Sequence, residues 1–174
     1  MDKPMFLFCS RCGGSKLTAR TYRLFECESC RFEHYINPLV AVAAIIADSA
    51  GQILLIRRAR NPGQGKVSLP GGMVDPGETA EQALRREVME EVNLQVDRLD
   101  YLASFPNQYP YQGVVYPALD LFYTGSVETF APARAMEEVQ SLMMAAPAAL
   151  DFSNIAFSSV EQALRLYAAR VYGR

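Results

Sequence analysis

The sequence predicts a layered domain of the α/β or α+β class behind a small cysteine-rich appendage, on three observations. All four cysteines fall within the first 36 of 174 residues. Strand-type runs of apolar and β-branched residues lie before and after a strongly helical segment at residues 79–92, and a second helical pattern closes the chain at 158–172. Strands on either side of helices are what a sheet covered by helices requires. With 50% hydrophobic and 21% charged residues, the chain can bury a real core and is unlike a disordered protein. A net charge of −2 gives no overall attraction to nucleic acid or to an anionic membrane.

Taken in order, residues 1–8 carry Asp2 and Lys3 ahead of an apolar run too short for a secretory signal. No stretch reaches the ~18–20 apolar residues of a membrane helix. A cytoplasmic location is therefore expected, and a reducing compartment disfavours structural disulfides. Residues 1–36 form the first domain and 37–174 the second, with Asn37-Pro38 reading as the turn between them. Cys9-Ser10-Arg11-Cys12 and Cys27-Glu28-Ser29-Cys30 are paired C-x-x-C motifs with 14 residues between them. Two such knuckles supply the four soft ligands of tetrahedral Zn²⁺, and Gly13-Gly14 follows the first where a tight turn is needed. The zinc would be structural, because four thiolates leave no open position. A segment this short buries too little to fold alone, so the metal would contribute its folding energy. Free buried thiols and disulfides are the alternatives. His34 is surplus to a complete site and reads as a surface or packing residue.

Leu39–Ala47 and residues 53–56 are apolar runs separated by a turn at 48–51, as in a hairpin buried on both faces. Residues 57–75 are rich in Gly and Pro and read as mostly loop. Residues 79–92 hold good helix formers, with Leu84, Val88 and Val92 spaced by four. Strand-like composition returns at 94–105 and 114–123. Residues 143–149 stand out only as alanine-rich. In the closing helix Val160, Leu164 and Tyr167 share a face.

Chemistry concentrates in the first helix. Glu87, Glu90 and Glu91 lie at i, i+3 and i+4, so their carboxylates share one face. Such like charges repel, and only Arg86 offers a cation within reach. An oxygen-donor site for Mg²⁺ or Mn²⁺ explains the cluster; a solvated acidic face is the alternative. Ahead of the helix, Leu69-Pro70-Gly71-Gly72 and Pro76-Gly77-Glu78 bracket a loop that could bring backbone N–H groups to phosphate oxygens, or could simply connect two elements.

These residues carry a resemblance to a known family. The Nudix hydrolases bear the box G-x5-E-x7-R-E-U-x-E-E-x-G-U, U being apolar. Here it reads Gly72, Glu78, then Arg86-Glu87-Val88-Met89-Glu90-Glu91-Val92-Asn93-Leu94. One specified position departs: Asn93 stands for the glycine, at a site expected to take a left-handed cap that Asn tolerates best after Gly. Arg57-Arg58 and Ile155-Ala156-Phe157 also look like family features, and the N-terminal ribbon resembles that of NADH pyrophosphatases.

The resemblance implies an α+β fold, the Nudix α/β/α sandwich with a mixed sheet, and metal-dependent hydrolysis of a phosphoanhydride. Glu87, Glu90 and Glu91 would hold Mg²⁺ or Mn²⁺, Glu78 would support them, and Arg86 would orient the carboxylates. The general base would be a box glutamate or one from a later loop, Glu137 or Glu138; Glu138 completes the catalytic set. Arg57, Gly71, Gly72 and Tyr109 are the expected substrate contacts. The substrate would be a nucleoside diphosphate linked to another moiety. Residues 104–110 depart from the tag of NADH pyrophosphatases, and the chain has no tryptophan. Pro110, where ADP-ribose-cleaving members often have proline, puts ADP-ribose ahead of NADH and dinucleoside polyphosphates. The competing reading is a non-catalytic nucleotide sensor whose ribbon contacts nucleic acid or protein. A nucleic-acid role would want a basic stripe and the ribbon's basic bias is only mild, so a structural or homodimer-supporting role is favoured over it.

Overall fold

The computed structural model describes residues 6–173, the side chain of Tyr172 excepted. Met1 to Met5, and with them most of the segment weighed as a signal, lie outside the described residues. The chain divides into two compact units. One runs up to Leu39 and takes in Gln108–Pro117; the other comprises Val40–Asn107 and Ala118–Arg174.

In the first unit, strands β1 (Leu17–Ala19), β2 (Leu24–Cys27) and β3 (Glu33–Tyr35) form an antiparallel three-stranded sheet. Its knuckles close on backbone bonds: Gly13 N–H donates to Cys9 O, and Arg31 N–H donates to Cys27 O, both at 2.8 Å. Both turn residues have positive φ, so the second knuckle makes from arginine the turn the first makes from glycine. Buried Glu26 is paired with Arg20 and Arg31, each at 2.7 Å, so no uncompensated charge sits in this small core.

The second unit is built on a six-stranded sheet. Its strands are β4 (Leu39–Ala47), β5 (Ile53–Arg58), β6 (Val67–Ser68), β7 (Leu99–Tyr111), β8 (Val114–Ser126) and β9 (Val139–Ala145). The order is β6-β5-β4-β8-β7, with β9 pairing antiparallel along β5. Side chains alternate along a strand, and here the alternation sorts the core into two layers. Val42, Ala44 and Ile46 of β4 and Leu54 and Ile56 of β5 pack with Ala83, Leu84, Val88 and Val92 of helix α1 (Ala80–Val92). Ile45, Ile53 and Leu55 point the other way, to Val160, Ala163 and Leu164 of helix α2 (Ser158–Tyr172). The expected helix–sheet–helix sandwich results directly. The hairpin turn is held by Asp48, whose carboxylate accepts from the N–H groups of Ala50 and Gln52.

Two elements differ from expectation. Residues 94–98 are not strand: Leu94 and Val96 are buried in the α1 layer and the strand begins at Leu99. β9 was not expected: it begins ahead of the alanine-rich stretch and overlaps it only at residues 143–145, and its Leu, Met and Ala carry little strand signal; six residues of β5 pair with it. No helix among the described residues is long and apolar enough to cross a membrane.

Candidate active site

Helix α1 starts on a capping box. Thr79 accepts from Gln82 N–H, and the Gln82 side chain accepts from Thr79 N–H. It ends on Asn93, whose φ of 54° and ψ of 42° are left-handed, with its N–H donating to Met89 O. The Asn93 amide also donates to Pro132 O, tying the cap to the loop beyond β8. The departure from the glycine of the box is accommodated in that way.

Between these caps Arg86 is the hub. Its guanidinium donates to both oxygens of Glu78 (2.8 and 2.9 Å), to Glu87 (2.8 Å), to Glu90 (3.2 Å) and to Met73 O (3.1 Å). The Glu78–Arg86 pair is bidentate, the stronger geometry for such a contact. Arg86 and the N–H of Asp75 hold the Glu78 carboxyl down to about 2.

The loop before α1 packs hard against the glutamates. Gly71 N–H donates to Glu91 Oε2 at 2.8 Å. A β-carbon on Gly71 would overlap the Val42 carbonyl, and one on Gly72 would overlap the Glu87 carboxylate. Both glycines are thus required by close approach. Of the loop N–H groups that could meet a phosphate, that of Gly71 is directed to Glu91.

Glu91 is only 7% exposed. Burial pushes its carboxyl up to about 8 against the Gly71 bond, and the charges of Glu87 and Glu138 push the same way. Glu87 is raised too, by burial first, and Arg86 resists the shift. Glu87, Glu90, Glu91, Glu137 and Glu138 line a cavity of about 270 Å³. Five carboxylates, two of them desolvated beside like charges, form a hard oxygen-donor set of the kind that suits Mg²⁺ or Mn²⁺.

The remaining expected residues have other partners. Arg57 donates to Gly65 O and Met143 Sδ, and neighbouring Arg58 donates to Pro62 O and lies over the Phe157 ring. Both therefore brace the loop between β5 and β6. Tyr109 belongs to the first unit and stacks near Tyr111, ring centroids 6.3 Å apart. Arg60, which the sequence did not single out, donates to Glu138 (2.8 Å) and Glu137 (2.6 Å). Its partners lie 77 and 78 residues away along the chain, beyond any local pattern.

In the first unit, Cys9, Cys12, Cys27 and Cys30 bring their sulfurs within 4.8 Å of one another. The Cys9–Cys30 and Cys12–Cys27 separations are 3.7 and 3.6 Å, too long for disulfides. They match the ~3.8 Å edge of a tetrahedron with Zn–S bonds near 2.3 Å. The donor set therefore fits zinc. His34 is buried between Phe6 and Phe32 beside the Cys9 sulfur, and its hydrogen bond is the first cause that lowers the Cys9 thiol to about 6.

Comparison with known proteins identifies the family. The NUDIX domain model matches residues 37–164. The NAD-capped RNA hydrolases NudC of Yersinia pestis (strain Pestoides F) and Yersinia pseudotuberculosis (serotype O:1b) are each 38% identical over 105 residues. That is 60% of this chain, which spans only 39% of the length of those relatives. A NUDIX hydrolase structure from Nitrosomonas europaea superposes with a TM-score of 0.73 at 26% identity, over 97% of this chain and 94% of that one. The MutT NUDIX hydrolase of Burkholderia pseudomallei gives 0.64 at 28%, over 75% and 98%. The glutamate-lined cavity, the box that builds it and the span of the match coincide: the chain belongs to the NUDIX domain family.

Proposed function

We propose that this chain is a Nudix pyrophosphohydrolase that cleaves the diphosphate of a nucleotide carrying an ADP-ribose unit. The observation that carries the reading is the acidic cavity itself, where Arg86 and Gly71 hold glutamates of one helix face against a second acid pair. A surface acidic face would not be half-buried under a glycine loop. Glu87, Glu90 and Glu91 would hold Mg²⁺ or Mn²⁺. When bound, the metal neutralises phosphate charge and acidifies the attacking water.

The chain's own residues then do the rest. Arg86 fixes the carboxylates, and Glu78 fixes Arg86. A glutamate of the cavity, from the box or from the Glu137–Glu138 pair, takes the proton as water attacks one phosphorus. The bond from that phosphorus to the bridging oxygen breaks, leaving two monophosphates. For ADP-ribose the products are AMP and ribose 5-phosphate. NADH and NAD-capped RNA contain the same ADP-ribosyl unit, and the likeness to NudC supports that class. Cys9, Cys12, Cys27 and Cys30 would hold a structural zinc, and four free thiols suit a reducing compartment such as the cytoplasm.

The test is hydrolysis of ADP-ribose, NADH, dinucleoside polyphosphates, nucleoside triphosphates and NAD-capped RNA with Mg²⁺ and with Mn²⁺, beside Glu91→Gln. Cleavage of an ADP-ribosyl substrate, lost in the variant, is expected. Tight nucleotide binding with no cleavage would replace the enzyme with a sensor.

A further inference from the structure

We infer that Arg60 is a positioning residue for the acidic cavity, holding Glu138 in place so that its carboxylate completes the cation site. The inference rests on the reading of the cavity as a metal site and adds a residue outside the box to it.

Four features build this arrangement. The β5–β9 pairing is regular from Ile53 to Arg57 and then slips: Arg57 faces Ser141 while Arg58 faces Val139, leaving Gln140 without an opposite residue. A bulge of this kind bends a strand and re-aims the residues beyond it. Past the bulge, Ala59 N–H donates to Glu138 O at 3.0 Å, so the backbones of the two segments are joined next to Arg60. The loop leading on to β6 is braced from inside. Arg57 donates to Gly65 O, Arg58 to Pro62 O, and Gly65 N–H returns to Arg58 O at 2.9 Å. From this frame the Arg60 guanidinium reaches both Glu137 and Glu138, one nitrogen to each.

An exposed ion pair on a mobile surface usually contributes little. Here the backbone fixes both partners, so the fork costs little ordering. Arginine's planar fork can bridge two carboxylates where a lysine offers a point charge. Glu138 lines the cavity with Glu87, Glu90 and Glu91, so its placement is a property of the cation site.

Positioning and simple charge predict opposite signs. Arg60 is a cation beside a cation site, so if it acted only through its charge, its removal would tighten metal binding. If it positions Glu138, its removal weakens binding. The probe is Mn²⁺ alone, titrated into the zinc-loaded protein and followed by electron paramagnetic resonance. The proteins are wild type, Arg60→Ala, Arg60→Lys, Glu138→Gln, Glu87→Gln and the double variant Arg60→Ala with Glu138→Gln. We expect Arg60→Ala to weaken Mn²⁺ binding about three- to tenfold. Arg60→Lys should fall between it and wild type, and the double variant should be no weaker than Glu138→Gln alone. Thermal midpoints should stay together, because the side chains of Arg60, Glu137 and Glu138 are 53%, 87% and 61% exposed. Unchanged or tighter binding in Arg60→Ala, or losses that multiply in the double variant, would overturn the inference while Glu87→Gln still loses metal. If Glu87→Gln also binds Mn²⁺ as wild type does, the metal-site reading itself has failed.

Discussion

Glu91 offers the sharpest test of how the site is built. Its carboxyl is raised from an ordinary 4.5 to about 8, chiefly by burial. A carboxyl held higher in the folded chain than in the unfolded one binds its proton more tightly when folded. Below about pH 4.5 both states are protonated and the shift contributes nothing. As pH rises toward 8 the unfolded chain gives up a proton that the folded chain keeps, so stability falls across that window. The raised pKa corresponds to a penalty on the order of 5 kcal/mol once pH exceeds 8. Glu91→Gln cannot ionise, yet keeps an oxygen to accept the Gly71 N–H. Urea unfolding of both proteins at pH 5, 6, 7 and 8, freed of Mg²⁺ and Mn²⁺ with zinc retained, measures the difference. The ribbon titrates in the same window, but it is common to both chains and cancels. The variant should gain on wild type by up to about 4 kcal/mol between pH 5 and 8, and added Mg²⁺ should narrow the gap. A difference that stays constant within about 0.5 kcal/mol across the series would refute the argument.

Three further outcomes are expected from the same contacts. Arg86→Ala removes the bidentate partner of Glu78 and leaves Glu87 half-buried among acids; it should cost about 2–4 kcal/mol in urea unfolding and lower hydrolysis at least about 100-fold. Asn93→Gly restores the box residue at a φ already left-handed, so stability should change by less than about 1 kcal/mol and turnover should be unaltered, by unfolding and steady-state rates. Withdrawing zinc, or Cys27→Ser, should unfold the first unit while the second keeps its core; amide hydrogen exchange resolved along the chain would show protection lost up to about Leu39 and retained in β4 and β5.

The fold was legible where one physical rule acted alone. Leu84, Val88 and Val92 at four-residue spacing marked a helix face, and all three are buried against β4 and β5. β9 was not legible. Its Leu142, Met143 and Met144 lack β-branching, and their strand state comes from pairing with Leu54, Leu55 and Ile56, nearly ninety residues earlier. The candidate site divides along the same line. Glu78, Arg86, Glu87 and Glu90 are neighbours through helix geometry or the loop just before it, so a local motif encodes their meeting. Arg60 meets its acids only because β5 and β9 pair. Asp120 was invisible for the same reason: buried in β8, it accepts from Asn107 and from Ser159 at the start of α2. Through the Ser159 hydroxyl, that carboxylate ties β8 to the first turn of α2.

The glycines before α1 show why the site cannot be optimised for the apo protein. Alanine at position 72 would collide with the Glu87 carboxylate, so the loop can lie this close only without a side chain. That closeness strips water from Glu87 and raises its pKa, as burial does for Glu91. A looser loop would leave the metal-free chain more stable, with its acids solvated. It would also leave them weaker ligands, because a hydrated carboxylate gives up water before it meets a cation. The packed arrangement holds that dehydration cost in the folded state, where an arriving cation removes it. Metal binding should therefore release protons between about pH 5 and 8 and stabilise the second unit at the same time. A surface acidic patch, already ionised in that window, would release no protons.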